Sequence, residues 1–467
     1  MTRRILVFPI FLSAALSAQT IDRTKPPETP PLAAFKLPPV AESTLANGLR
    51  VVLLDDRRFP LVTLRLAFSA GSKFDPAETS GLAETVAALL KEGTAKRTSR
   101  QIAEELASLG ASLNTTVSAD NLVIAASVLA ENAPKLLDLV ADVARNASFP
   151  EDEIKLRKQN REQELIAERS QAETLANEKF FALVYGGHPY GRILPSPESI
   201  HRIDRAGLAS FRDRLLIPNN GVLILLGALP PRAEALTLVE SRFGSWAKKP
   251  LPVSPAAKFP EPKRTLVLVD RPGSVQADIR VGQMAVPRTH PDYFPMVVGN
   301  SILGGGMSSR IFKSIREEKG FAYDAHSELD ANKDAAVFTA VTQVRNDVIS
   351  EAMDALLAEL GGMGKENVKP QELSDVKNYL NGTFVLRLET QSGLANQLAT
   401  TRTLGLPESY LEMFVARVRS VEPDQIQNAA KKYMTPEDAV IVVVGDAEKL
   451  AKPLEKFGSV TIEKAKP

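Results

Sequence analysis

The feature that most constrains the fold of this 467-residue chain is an internal repeat. The strand-like run around Arg65 recurs around Arg280, 215 positions later, and the apolar run that ends at Gly227 recurs before Gly445, 218 positions later. Because the matching runs stand at the beginning and the end of each half, they predict a duplicated domain of about 200 residues. The alternative is two generic α+β domains that share strand endings by chance.

Local signals assign both halves to the α+β class. Asn47-Gly48 predicts a tight hairpin turn in front of a strand at Val51. Thr98 and Gln101 form a possible capping box for a helix that ends at Gly110. We therefore predict that each domain is a mostly antiparallel sheet with helices packed on one face.

Proline-rich stretches mark the boundaries of these domains. Residues 20–40 hold six prolines and residues 248–262 hold five, and such segments form extended connections rather than regular structure. The predicted organisation is a signal sequence 1–18, a tether 19–40, an N-terminal domain 41–247, a linker 248–262 and a C-terminal domain 263–460.

The first residues are typical of an export signal. Arg3 and Arg4 precede a short apolar run, Ile5 to Leu12, and small residues follow up to Ala18. A membrane anchor is the alternative, but the run is shorter than the roughly 20 residues that a helical span needs. We expect a secreted protein, most simply a bacterial periplasmic one, without a membrane span in the mature chain.

Composition excludes several classes of function. The 57 Lys and Arg residues nearly balance the 56 Asp and Glu residues, so no basic excess points to nucleic acid. The chain has no cysteine, which excludes disulfides, thiolate metal sites and cysteine nucleophiles. No two histidines stand four positions apart, so no helix carries a histidine pair for a metal; they are His188, His201, His290 and His326.

The segment from Gly81 to Thr94 resembles the active-site helix of the pitrilysin/insulinase family of zinc peptidases. The family pattern is G-L-A-H-x-x-E-H-x-L-x-x-G-T, in which the two histidines bind zinc and the glutamate activates the metal-bound water. Glu84, Ala87 and Ala88 stand at these three positions. The helix pattern is kept, and the residues that perform the chemistry are replaced.

The family's third zinc ligand is a glutamate on a later helix. The resemblance places it at Glu164, 76 residues beyond Ala88. Because residues 151–169 are highly charged, an acid at this position is also expected on an ordinary solvated helix face. A residual role for Glu164 is left open.

The second half keeps its own family pattern. The runs Leu303–Phe312 and Ile315–Tyr323 resemble L-G-G-G-M-S-S-R-L-F followed by R-E-x-x-G-L-A-Y. The resemblance implies that Arg316 and Tyr323, seven positions apart, bind the substrate peptide opposite the zinc. The glycine triplet at 304–306 lacks the Lys-Ser/Thr of a phosphate-binding loop.

This resemblance extends over about residues 43–460 and implies a clam-shell of two domains. In one branch of the family the site is split between a zinc-bearing chain and a chain with the Arg/Tyr pair. The sequence resembles the second kind, a subunit with no catalytic residue, metal or cofactor of its own that joins a zinc-bearing paralogue to hydrolyse peptides. We expect it to be inactive alone. A non-enzymatic peptide-binding or assembly scaffold, like the related core subunits of the cytochrome bc1 complex, is the alternative.

Overall fold

A hairpin begins the part of the chain that the structure describes. The computed structural model describes residues 36–465, so the predicted signal sequence and the predicted tether up to residue 35 lie outside the described residues. Strand β1 (Ala41–Thr44) pairs antiparallel with β2 (Arg50–Asp55). Gly48 turns the chain between them at a φ of 87°, a conformation that L side chains rarely adopt. The predicted turn is confirmed.

The rest of the first half alternates helices with strands. A capping box between Thr98 and Gln101 starts the helix Ser99–Leu109, and Gly110 at a φ of 59° ends it, as predicted. The elements after β2 are β3 (Leu61–Phe68), α1 (Leu82–Leu89), α2 (Ser99–Leu109), β4 (Ser112–Val117), β5 (Leu122–Leu129), α3 (Ala133–Asn146), α4 (Glu151–Arg169), α5 (Ala172–Tyr185), α6 (Pro197–Arg202), α7 (Arg205–Leu215), β6 (Gly221–Gly227) and α8 (Arg232–Phe243).

The second half repeats this order. It also contains a π-helical turn over Phe312–Glu318. Its elements are β7 (Thr265–Asp270), β8 (Gln276–Ala285), α9 (Tyr293–Gly304), β9 (Ala322–Ala331), β10 (Ala336–Arg345), α10 (Ile349–Lys365), α11 (Pro370–Glu389), α12 (Gln391–Leu404), α13 (Tyr410–Arg419), α14 (Pro423–Tyr433), β11 (Val440–Gly445), α15 (Ala447–Leu454) and β12 (Val460–Lys464).

Each half builds one six-stranded sheet. The strand order is β1-β2-β6-β3-β5-β4 in the first sheet and β12-β7-β11-β8-β10-β9 in the second. Among the strands of residues 36–465, only the pairs β2–β6, β7–β11 and β7–β12 are parallel. The predicted α+β fold of two domains with mostly antiparallel sheets is confirmed. The two sheets differ in the origin of one edge strand. In the first sheet this strand is β1, which comes before the repeated elements in the chain, and in the second sheet it is β12, which comes after them.

Helices cover both faces of each sheet. Helices of the same half cover one face, and a helix from the other half covers the opposite face. In β2, Val51 and Leu53 pack against the helices of the first half, whereas Val52 and Leu54 pack against side chains of α12. Reciprocally, α5 packs on the outer face of the second sheet. The sequence analysis predicted the first helical layer and did not foresee this exchange.

Two buried arginines hold the exchanged helices at equivalent points. Arg65 Nε donates to Asn396 Oδ1 on α12 at 2.6 Å, and Arg280 Nε donates to Asn177 Oδ1 on α5 at 2.8 Å. Both helices have 14 residues, and the two asparagines are 219 positions apart, close to the repeat spacing. The duplication therefore includes the contacts between the halves.

Strand β4 was not predicted. Its sequence, Ser112–Val117, holds only two apolar residues, so it lacks the alternation that identified its neighbours. The linker 248–262 contains no helix or strand, and the exact domain boundaries remain a prediction. Within residues 36–465, no helix has the length and apolarity that crossing a bilayer requires.

Candidate functional site

The helix that carries the altered zinc motif is held firmly at its start. Gly81 enters α1 at a φ of 94°. The buried carboxylate of Asp75 accepts hydrogen bonds from the backbone N–H of Gly81 at 3.0 Å and of Ala83 at 2.9 Å. Burial raises the pKa of Asp75 to about 7. The backbone at the start of α1 is thus held by a buried carboxylate from the preceding segment.

The three motif positions on α1 lie in different surroundings. The side chain of Glu84 is partly exposed, whereas Ala87, at the position of the catalytic glutamate, packs in the core of the first half. The hydroxyl of Thr115 on β4 donates to the Ala87 carbonyl at 2.6 Å. Ala88 offers only a methyl group. No proton acceptor therefore stands where the family places its general base.

Helix α4 crosses α1 and brings Glu164 towards Glu84, with two arginines between them. Arg157 Nη2 donates to Glu84 Oε1 at 2.6 Å, and Arg157 Nη1 donates to both carboxylate oxygens of Glu164 at 3.0 and 3.1 Å. Arg161 Nε lies 3.1 Å from Glu84 Oε1, and its Nη1 donates to Glu168 at 2.9 Å. We call these five residues the arginine network.

The arginine network does not fit zinc. Catalytic zinc sites usually have imidazole ligands, and here the candidate ligands are carboxylates already bound by guanidinium groups. A zinc ion between Glu84 and Glu164 would have to displace Arg157 and would face two positive charges. Within residues 36–465, no group of three or more His, Cys, Asp and Glu side chains is arranged to hold a metal.

Arg316 and Tyr323 lie together, as their predicted shared role requires. The Arg316 guanidinium carbon is 4.8 Å from the ring centroid of Tyr323 and 4.8 Å from that of Phe312. Tyr323, near the start of edge strand β9, is 85% exposed. In the described part of the chain no carboxylate forms an ion pair with Arg316, so this cation is free to bind another group.

A cleft of about 450 Å³ separates the altered motif from the second half. Glu84 lines it on one side, and Asp330 and Asn332 at the end of β9 line it on the other. Burial raises the pKa of Asp330. Arg316 and Tyr323 do not line this cleft, so the two predicted groups do not form one site within this chain.

A buried ion-pair cluster beside the cleft joins the two halves, and the sequence analysis missed it. Lys73 Nζ contacts Asp120 at 2.8 Å and Asp334, on the β9–β10 turn, at 3.1 Å. The Tyr190 hydroxyl donates to the same carboxylates at 2.6 and 3.1 Å. The stretch Gly187-His188-Pro189-Tyr190-Gly191-Arg192, which resembles the sequence of the same family, was the one signal that pointed towards Tyr190. The cluster fixes the second half against the first at the edge of the cleft.

Comparison with known proteins matches this architecture. Residues 50–198 match the family model described as insulinase (peptidase family M16), and residues 202–380 match the peptidase M16 inactive domain. The chain is 23% identical over 402 residues to an uncharacterized zinc protease of Bacillus subtilis, YmxG, covering 86% of this chain and 97% of that protein. It is 26% identical over 399 residues to an uncharacterized zinc protease of Mycobacterium tuberculosis, covering 84% and 90%.

Solved structures agree. A crystal structure of a peptidase M16 inactive domain from Pseudomonas fluorescens has a TM-score of 0.81 and 26% identity, with 87% of this chain and 98% of that chain covered. A protease from Helicobacter pylori has the same TM-score at 20% identity, which supports the fold alone. Fold and site thus define a two-domain zinc-peptidase-like protein. The chain belongs to the insulinase, or pitrilysin, family of peptidases (M16).

Proposed function

We propose that this chain is the non-catalytic subunit of a two-chain zinc peptidase of the insulinase family. A zinc-bearing paralogue supplies the metal, and this chain supplies Arg316 and Tyr323 to bind the peptide substrate. The observation that carries the proposal is the arginine network. In it, Arg157 pairs with both Glu84 and Glu164, the two carboxylates that stand at zinc-ligand positions of the family pattern.

The charges of the arginine network support a stable state without metal. Arg161 is buried and Arg157 is mostly buried, and together they bind Glu84, Glu164 and Glu168. Buried guanidinium groups are stable when carboxylates pair with them. The two arginines therefore balance the negative charge of these glutamates, so the first half needs no metal ion for that purpose.

The arrangement of Arg316 and Tyr323 supports a role towards a second chain. The guanidinium has no ion pair within the described residues, and the phenol is largely exposed. Arginine binds peptide carbonyl or carboxylate groups with two donors, and a tyrosine hydroxyl can donate to a developing oxyanion. Since neither residue lines the cleft beside Glu84, a partner's site is the place where both would act. Export to a bacterial periplasm, proposed from residues 1–18, would place both subunits there.

Mixing the two chains tests this proposal. The mature chain is added to an intact H-x-x-E-H paralogue from the same genome, and peptide cleavage is measured with each chain alone and with both. We expect little cleavage by either chain alone and a cleavage rate at least about tenfold higher for the pair. The reason is that each hydrogen-bond donor to the transition state raises the rate by about that factor or more. An unchanged partner rate would favour the scaffold alternative, and vigorous cleavage by this chain alone would overturn both.

A further inference from the structure

A second cavity, of about 470 Å³, lies on the face of the first sheet that is opposite α1. Strands β3, β4 and β5 form its floor, and the start of α12 and the segment before β3 form its walls. Hydroxyl groups of Thr63, Ser112, Ser127 and Ser392 line it, together with Arg65. The cleft beside Glu84 shares none of these residues.

Arg65 carries a buried charge that no carboxylate in the described residues balances. It is 7% exposed, and its three hydrogen bonds go to Asn396 Oδ1, Ser392 Oγ and the Leu64 carbonyl, all uncharged. A guanidinium has five N–H donors, so two remain without an acceptor. Burial lowers the pKa of Arg65, and no acidic group opposes that effect. An uncompensated buried charge is costly.

The equivalent arginine in the second half is compensated. Arg280 Nη1 contacts Asp278 at 2.6 Å, and its Nη2 lies 3.6 Å from Glu173 at the start of α5. Thr63 is the counterpart of Asp278, because each stands two residues before its arginine. The sheet register agrees: Thr63 lies opposite Leu226 and Asp278 opposite Val444, and each of these partners precedes the glycine that ends its strand.

The same comparison identifies the counterpart of the second carboxylate. Glu173 is the second residue of α5, and Ser392 is the second residue of α12. Hydroxyl groups thus replace both carboxylates around Arg65, and the cavity opens at that place.

We propose that the cavity beside Arg65 binds a carboxylate ligand, whose charge takes the place that Asp278 and Glu173 fill around Arg280. The carboxylate accepts from the two free guanidinium N–H groups, and the surrounding hydroxyls donate to its second oxygen. The other charged groups of the lining do not neutralise Arg65. Arg58 is paired with Asp56, and Glu389 forms no ion pair with Arg65.

The carboxylate can belong to a peptide C-terminus or to a small organic acid. Calorimetric titration of the whole mature chain separates these sources with three probes: N-acetyl-Ala-Ala, its C-terminal amide, and succinate. We expect the free acid to bind at least about tenfold more tightly than the amide, because the amide lacks the charge for one charge-assisted contact with Arg65. Stronger binding of succinate than of the peptide acid would identify a small acid as the ligand.

The variant Ser392→Glu supplies the missing carboxylate from the chain itself. We expect it to lose at least about tenfold in affinity for the acid probes and to melt at or above the wild-type temperature. Ser374→Glu, at an exposed serine on α11, is the matched control and should bind as wild type does. The proposal fails if no probe binds in the millimolar range, if acid and amide bind equally, or if Ser392→Glu retains full affinity.

Discussion

Replacing Arg316 by alanine or Tyr323 by phenylalanine is expected to lower kcat/KM of the mixed peptidase pair by about 10²-fold for each variant, with the partner chain unchanged. Each side chain would donate to the substrate or to charge that develops in the transition state, and the loss of one such donor typically has this effect. The assay is cleavage of a fluorogenic peptide at fixed concentrations of both chains.

The fold should tolerate both substitutions, so the result can be interpreted. Tyr323 is 85% exposed, and Arg316 makes ring contacts rather than an ion pair. Loss of these contacts costs roughly 0.5–1 kcal/mol. Tyr379→Phe, at another exposed tyrosine, is the matched control. Unchanged cleavage by a folded, fully paired double variant would refute the split site.

The second large effect concerns the metal. The triple variant E84H/A87E/A88H restores the family's ligands and general base on α1, and Glu164 is already present. We nevertheless expect it to bind zinc at least about 10³-fold more weakly than the same variant with R157Q and R161Q added. Two guanidinium groups within a few ångströms of a divalent cation repel it by several kcal/mol, and Arg157 also occupies Glu164.

Elemental analysis and calorimetry with zinc measure this difference. The R157Q/R161Q double variant without the histidines is the control and should bind no stoichiometric zinc. Tight zinc binding by the triple variant alone would show that the arginine network does not keep the metal out. Absence of zinc from the variant with all five substitutions would show that α1 and α4 are too far apart to bind one zinc ion.

The sequence predicted most of the framework that positions these groups. The repeat spacing, the hairpin at Gly48 and the capping box at Thr98 each depend on residues close together in the chain, and all appear in the structure. The exchange of α5 and α12 depends on contacts between residues more than 100 positions apart, for example Arg65 and Asn396 or Arg280 and Asn177. No local pattern encodes such a pairing.

The site shows the same limit. The resemblance identified Glu84 and Glu164 as positions of interest, but the partners of these carboxylates are Arg157 and Arg161, which belong to a helix of many charges. Which of those charges face α1 is decided by the crossing of two helices and not by spacing along one of them. Lys73 was missed because its partners Asp120 and Asp334 come from distant turns.

Photo-crosslinking from position 323 tests the split site most directly. Tyr323 is replaced by p-benzoylphenylalanine, which its exposure permits, and the chain is mixed with a partner whose catalytic glutamate is changed to glutamine, so that bound peptide is not cleaved. The account predicts that light joins residue 323 to the labelled peptide, and only when the partner is present. A crosslink that forms equally without the partner, or no crosslink in a fully formed pair, would contradict it.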